Sequence, residues 1–394
     1  MSVADRLVGK RMCIVAGSGG VGKTTTAAAL AMGLAAAGQR VAVVTIDPAR
    51  RLANSLGLDE LDNEPRLVDP ARFADHGLEM RGELWAMMLD AKRTFDELIE
   101  RLAPDERTRD DILGNRIYAE LSGAVAGSQE FTAIAKLYEL DRSGDFDVIV
   151  LDTPPSRNAL DFLDAPDRLT HFFEGRAVKL FLAPTGLAAK VMGRGTGVVF
   201  SILKRVTGVD LLTDLSTFFR ALSGVLDGFV ERAAGVKALL ADPATTFLIV
   251  TSPQREPVEE AIYFRGKLRE ARMPFGGLIV NRVDPGVGEP ESLDPGAVEA
   301  ALAADLGPAL ARKVARTVAD AQVLADRDAG SITRLRRELD EREPILVPHL
   351  DGDVHDVDGL VQVYRHLFAL APDRERLVVR PGRTAPGAKG AGAA

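Results

Sequence analysis

Residues 17–24 read Gly17-Ser18-Gly19-Gly20-Val21-Gly22-Lys23-Thr24, a match to the pattern G-x-x-x-x-G-K-[ST]. An apolar run, Met12–Ala16, precedes them, and a helix-like stretch, Thr24–Ala37, follows and is stopped by Gly38. A strand entering a glycine-rich turn that opens a helix is the setting that gives this pattern its chemistry. Glycines let the backbone wrap so that successive N–H groups converge on a phosphate chain. The start of the helix adds the positive end of its dipole. On this reading Gly17, Ser18, Gly19, Gly20, Val21 and Gly22 cradle the phosphates of a nucleotide. Lys23 reaches the β- and γ-phosphates, the Thr24 hydroxyl ligates Mg2+, and Thr25 on the same helical turn completes the set.

Working outward, further short apolar runs alternate with helix-like stretches: Val41–Ile46, Leu84–Leu89, Val148–Leu151, Phe247–Thr251, Leu278–Val280 and Ile345–Val347. Several are apolar throughout, as in strands covered on both faces. The alternation predicts an α/β fold, a mostly parallel sheet flanked by helices. Ligands of such sheets bind beyond the carboxyl ends of the strands, and two of the runs end in acids. Asp47 closes Thr45-Ile46-Asp47-Pro48-Ala49. It suits orienting or deprotonating an attacking water, or touching the metal, and equally suits a helix N-cap. Asp152 closes Val148–Leu151 and precedes Thr153-Pro154-Pro155; an acid there is the candidate to hold Mg2+, often through water.

One stretch stands apart. Residues 171–235 hold seven of the sixteen phenylalanines, and from Leu211 to Phe229 apolar residues recur at helical spacing. The expected division is therefore 8–170 and 236–370 as two halves of one nucleotide-binding domain, with 171–235 a helical apolar insertion. The segment 380–394, rich in Gly, Ala and Pro, has the composition of a disordered tail.

Composition narrows the partners. The net charge of -8 gives no electrostatic reason to expect nucleic acid. No run of about 18 apolar residues occurs, and the N-terminus lacks the apolar core of a signal peptide. The single cysteine, Cys13, lies in an apolar run, so the chain forms no intrachain disulfide and a cytoplasmic location is expected. Five scattered histidines and one cysteine offer no zinc spacing.

Together the segments GSGGVGKT at 17–24, TIDPA at 45–49 and DTPP at 152–155 resemble the deviant-Walker-A ATPases, the family of the arsenite-pump ATPase and of the guided-entry ATPase that targets tail-anchored membrane proteins. The likeness extends to WAMMLDAKRTFDEL at 85–98, to IVNRVDP at 279–285 and to LVPHLDGDV at 346–354, in the family's order. It implies a Mg-dependent ATPase whose nucleotide cycle opens and closes a dimer. It puts Asn281 where the family reads adenine, and Pro348, His349 and Leu350 in the adenine loop. Residues alone leave Asn281 open as a turn residue at a strand end.

Three departures matter. The family's signature lysine, second in the loop, is Ser18 here. That lysine crosses the dimer interface and neutralises the transition state in trans. Its loss implies slow turnover, a heterodimer with a lysine-bearing paralogue in place of a homodimer, or takeover by Arg50, Arg51 or Arg157. The paired-cysteine zinc site of the targeting members and the thiolate site of the arsenite-pump member are both impossible with one cysteine. By the same resemblance, residues 171–235 would form either a groove for hydrophobic protein segments or a plain buried layer. The competing classes are a catalytically weak nucleotide-binding regulatory subunit and a positioning-type ATPase.

Overall fold

The computed structural model describes residues 2–46, 50–116, 118, 128–154, 218, 221, 225–286, 294–350 and 352–370. Among the described residues, eight strands join in one sheet: β1 (Met12–Gly17), β2 (Arg40–Thr45), β3 (Arg66–Leu67), β4 (Glu83–Met88), β5 (Val148–Asp152), β6 (Thr245–Thr251), β7 (Phe275–Val283) and β8 (Ile345–Pro348). Their order is β3-β4-β2-β5-β1-β6-β7-β8. Every pairing is parallel except that of β3 with β4. The seven strands expected from apolar runs are all present. β3, two residues long and exposed, carries no such run.

Period-two alternation of the central strands separates two cores. Met12, Ile14 and Ala16 of β1 face one layer, and Cys13 and Val15 face the other. The first layer contains α5 (Ala91–Leu102), α7 (Ser128–Ser143), α8 (Leu226–Ala241), α9 (Arg255–Glu270) and the C-terminal part of α11 (Pro308–Leu339). The second contains α1 (Val3–Leu7), α2 (Lys23–Ala36), α3 (Arg51–Ser55), α4 (Ala71–Ala74) and α12 (Val357–Phe368). α6 (Glu106–Leu113) lies beside α5 and adds Ile112 to the first layer, whereas α10 (Pro295–Leu306) packs on α11 and buries no residue. The α2 sequence KTTTAAALAMGLAA is small-residue-rich, so almost all of it is buried between the sheet and α12.

Most of the apolar stretch 171–235 lies outside the described residues. Of the residues described, Phe218, Val225 and Ala233 are buried, whereas Val230 is exposed. Phe218 and Val225 sit in the first layer, where the Phe218 and Tyr118 ring centroids are 6.4 Å apart. Helix α8 runs through residue 235 and adds Ala233, Val236 and Leu240 to that layer. The tail from 371 onward also lies outside the described residues.

The topology fixes where a ligand binds. β1 is flanked by β5, which returns from one wing of the sheet, and by β6, which starts the other. Beyond the carboxyl ends of these neighbours lies the switch point of the sheet, the crevice ligands use in open α/β folds. Phe247, fully buried on β6 against Phe264, is central to the first core. Phe247→Ala is expected to lower stability by about 3–5 kcal/mol, read as a reduced urea midpoint with an unchanged slope.

Candidate functional site

The residues after β1 close on themselves. Gly22 has φ +93°, a left-handed conformation that side chains resist. A Cβ there would lie 2.4 Å from Asn281 Nδ2. Gly17 is confined for a different reason, since its Cβ would meet the Val250 carbonyl oxygen of β6 at 2.0 Å. Gly17 is thus required by close approach of the β6 backbone, and Gly22 by its left-handed turn and the Asn281 side chain packed on it. At Gly20, φ +76°, a Cβ would meet nothing within 4 Å, so this part of the loop is open to the cleft and, with Lys23 beside it, fits a phosphate chain. Lys23 is buried, and its Nζ donates to Ser18 O at 2.8 Å, which holds the ammonium over the loop.

Asp152 stands beside this loop. It ends β5 in register with Val15 of β1 and Thr45 of β2, and it is only 1% exposed. Its Oδ2 accepts from Thr24 Oγ1 at 2.7 Å and from Thr45 Oγ1 at 2.9 Å. Two hydroxyls and a carboxylate at this spot form a hard oxygen donor set suited to Mg2+. Next along, Thr153 is tied down twice, its N–H and its hydroxyl both donating to Val15 O. Asp47, with Pro48 and Ala49, lies outside the described residues, as does Arg157.

A cleft of about 560 Å3 opens over the loop. Gly20, Gly22, Lys23, Thr24 and Thr25 form its floor. Asn281, Arg282 and Pro348 to Leu350 line it from the ends of β7 and β8. Residues from three separate parts of the sequence-derived set are therefore brought to one cavity. Asn281 reaches the loop itself, its Nδ2 donating to Val21 O at 2.8 Å. His349 N donates to Val283 O at 2.9 Å, which fixes the strand ends to each other. Of the candidate arginines, Arg51 lines the cleft with Asn54 and Ser55. Arg50 instead pairs with Glu60 at 3.0 Å.

Sequence reading gave no role to Thr45, Asn54, Ser55 or Arg282. Thr45 had a usable signal, being a hydroxyl near the end of a strand that pairs with the strand of Asp152. Asn54 and Ser55 had none, since only the packing of α3 beside α2 brings them to the cleft.

A glycine cradle with a hydroxyl–carboxylate pair at a switch point defines a P-loop nucleotide-binding protein. Comparison with known proteins is more specific. The profile of the family described as Anion-transporting ATPase matches residues 10–291, and the chain belongs to that family. ATPase ARSA2 of Chlamydomonas reinhardtii is 28% identical over 272 residues, 68% of this chain and 67% of the relative. ATPase GET3C of Arabidopsis thaliana is 28% identical over 292 residues, 70% of this chain and 68% of the relative. A relative from Aquifex aeolicus (strain VF5) is 26% identical over 288 residues; the match covers 70% of this chain but 64%, under two thirds, of that relative's own length.

Cys13 is fully buried on β1, and burial pushes its thiol up to about 12. Thiolate is the reactive and metal-binding form. The native chain is therefore expected to show no thiol reaction with an aromatic disulfide reagent at pH 8, and one equivalent after unfolding in guanidinium. Rapid reaction of the native chain would contradict this placement.

Proposed function

We propose that this chain is a Mg-ATP-dependent ATPase, with ATP seated in the cleft above residues 17–24. The observation that carries the reading is the sharing of Asp152 Oδ2 by Thr24 and Thr45, directly beside the phosphate cradle. Mg2+, when bound, supplies charge neutralisation on the β- and γ-phosphoryl oxygens. The chain's own residues do the rest. Backbone N–H groups of Gly19 to Thr24 orient the phosphates, and Lys23 adds a positive charge already desolvated by burial. Thr24 and Asp152 would hold the metal. Asp47, two residues beyond Thr45, is the residue assigned to orient the attacking water. Asn281, with Pro348, His349 and Leu350, receives adenine. An amide suits that base, since it can pair with its N6 and N7.

The finer reading is that nucleotide turnover opens and closes a dimer that captures hydrophobic protein segments. Family resemblance supports it, together with the phenylalanine content of residues 171–235. Against a groove stand Phe218 and Val225, which are already committed to the core. A second reading is favoured by Ser18. The loop lacks the family's trans cation, so the chain would act as a weakly hydrolysing, nucleotide-binding partner of a lysine-bearing paralogue. Arg51, on the wall of the same cleft, is the candidate to restore the charge in cis.

Steady-state assays with Mg-ATP test the scheme. Lys23→Ala is expected to reduce turnover at least about a hundredfold. Asp47→Asn is expected to reduce kcat by about 10²–10⁴ with the Kd for Mg-ATP unchanged; an equal loss of binding would make Asp47 a structural cap. Turnover of the wild-type chain, alone and mixed with a lysine-bearing paralogue, no higher than that of Lys23→Ala would defeat the ATPase reading and leave a binding subunit.

A further inference from the structure

The wall of the cleft formed by β7 depends on a distortion. Val280 pairs with Leu346, but the next partners are Val283 and Pro348. β7 thus spends two residues, Asn281 and Arg282, opposite the single Val347, which is a β-bulge. Arg282 takes the left-handed conformation, φ +57°, which a non-glycine residue keeps only where its surroundings hold it there. Asn281 Oδ1 accepts from Arg282 N at 2.9 Å, while Nδ2 stays on Val21 O. Bulges that re-aim side chains need something to hold them.

The holder lies on α11. Its buried face there runs Asp328, Ile332, Leu335, Leu339, spaced at four, three and four residues. The stripe is apolar except for its first member, and Asp328 is 1% exposed. A buried carboxylate where a leucine would pack is costly unless it is fully bonded. Asp328 is bonded on both oxygens. Oδ2 accepts from Asp284 N at 2.9 Å, immediately past the bulge. Oδ1 accepts from Arg327 Nη2 at 2.9 Å and Nε at 3.2 Å, and Arg327 Nη2 also lies 3.7 Å from Asp284 Oδ2. The loop then continues along the same helix, passing Gln322 and Ala325 at Gly286.

We propose that Asp328 is a positioning residue for the nucleotide base. By fixing the Asp284 backbone it holds the bulge that presents Asn281 and Arg282 to the cleft, and so sets the preference for adenine over guanine. The inference rests on the nucleotide reading of the cleft given above. The phosphate cradle is anchored independently, through Gly17, Lys23 and Asp152, so the two ends of the ligand respond differently to loss of Asp328.

The experiment is calorimetric binding of Mg-ATP, Mg-GTP and Mg-tripolyphosphate to the full chain and its variants. Asp328→Ala is expected to weaken ATP at least about tenfold. GTP should weaken far less, and tripolyphosphate should stay within about twofold of wild type. Asp328→Asn, whose amide oxygen still accepts from Asp284 N, should recover most of the ATP affinity. Equal losses for all three ligands, or an unchanged ATP-to-GTP ratio, would overturn the proposal. If Asp328→Ala does not fold, Arg327→Gln removes only the exposed brace and should narrow the same ratio about threefold; no narrowing there also overturns it. Wild-type protein that binds tripolyphosphate but does not distinguish ATP from GTP sinks this inference and leaves the phosphate cradle standing. Wild-type protein that binds none of the three sinks both.

Discussion

One carboxylate oxygen, Asp152 Oδ2, receives hydroxyl hydrogen bonds from the helix after β1 and from the end of β2. The site is organised around that junction. β5 lies between β1 and β2 in the sheet, so its terminal residue, Asp152, is within reach of both neighbours. Parallel pairing brings three strand ends to the same level, and register places Val15 and Thr45 on either side of Asp152. A carboxyl group this deeply buried is tolerated because its partners are pre-set by the sheet. The phosphate cradle inherits its position from the same frame, since Gly17 is pressed against β6.

The β7 end of the cleft is built on a different principle. No straight strand presents it. A bulge in β7, a left-handed Arg282 and a carboxylate from a distant helix combine to turn Asn281 toward the loop. Its bond to Val21 O makes the two ends contiguous. That bond is a point of contact between the two ends, while the loop keeps its own anchors in Gly17 against β6 and Lys23 on Ser18 O.

Much of this was legible in the residues. Runs such as Met12–Ala16 and Phe247–Thr251 are apolar because both faces of a central parallel strand are covered, and that pattern survives in sequence. The glycine loop was legible because its chemistry is local, each residue acting on its neighbours. β3 was not, because an exposed two-residue edge has no burial to leave a pattern. The placement of Asn281 and of Pro348 to Leu350 was available through resemblance and not through any property of those residues. Asp328 was hidden altogether. It reads as one acid among many on a charged helix, and its partner Asp284 lies 44 residues away. Asp47, singled out by its strand end, falls outside the described residues, so its assignment still rests on sequence.

The margin of the sheet beside β4 has a consequence for self-association. β3 gives a potential strand donor only Arg66 and Leu67 to pair with, and the flanking chain already occupies the rest of that margin. Asp62 accepts from Met88 N, and Val68 donates to Leu84 O. Main-chain docking of another molecule, the usual hazard of an unguarded rim, has almost no open peptide groups to use on this flank. Two copies that meet there must do so through side chains, which leaves the pairing of copies to be dictated by surface chemistry and not by continuation of the sheet.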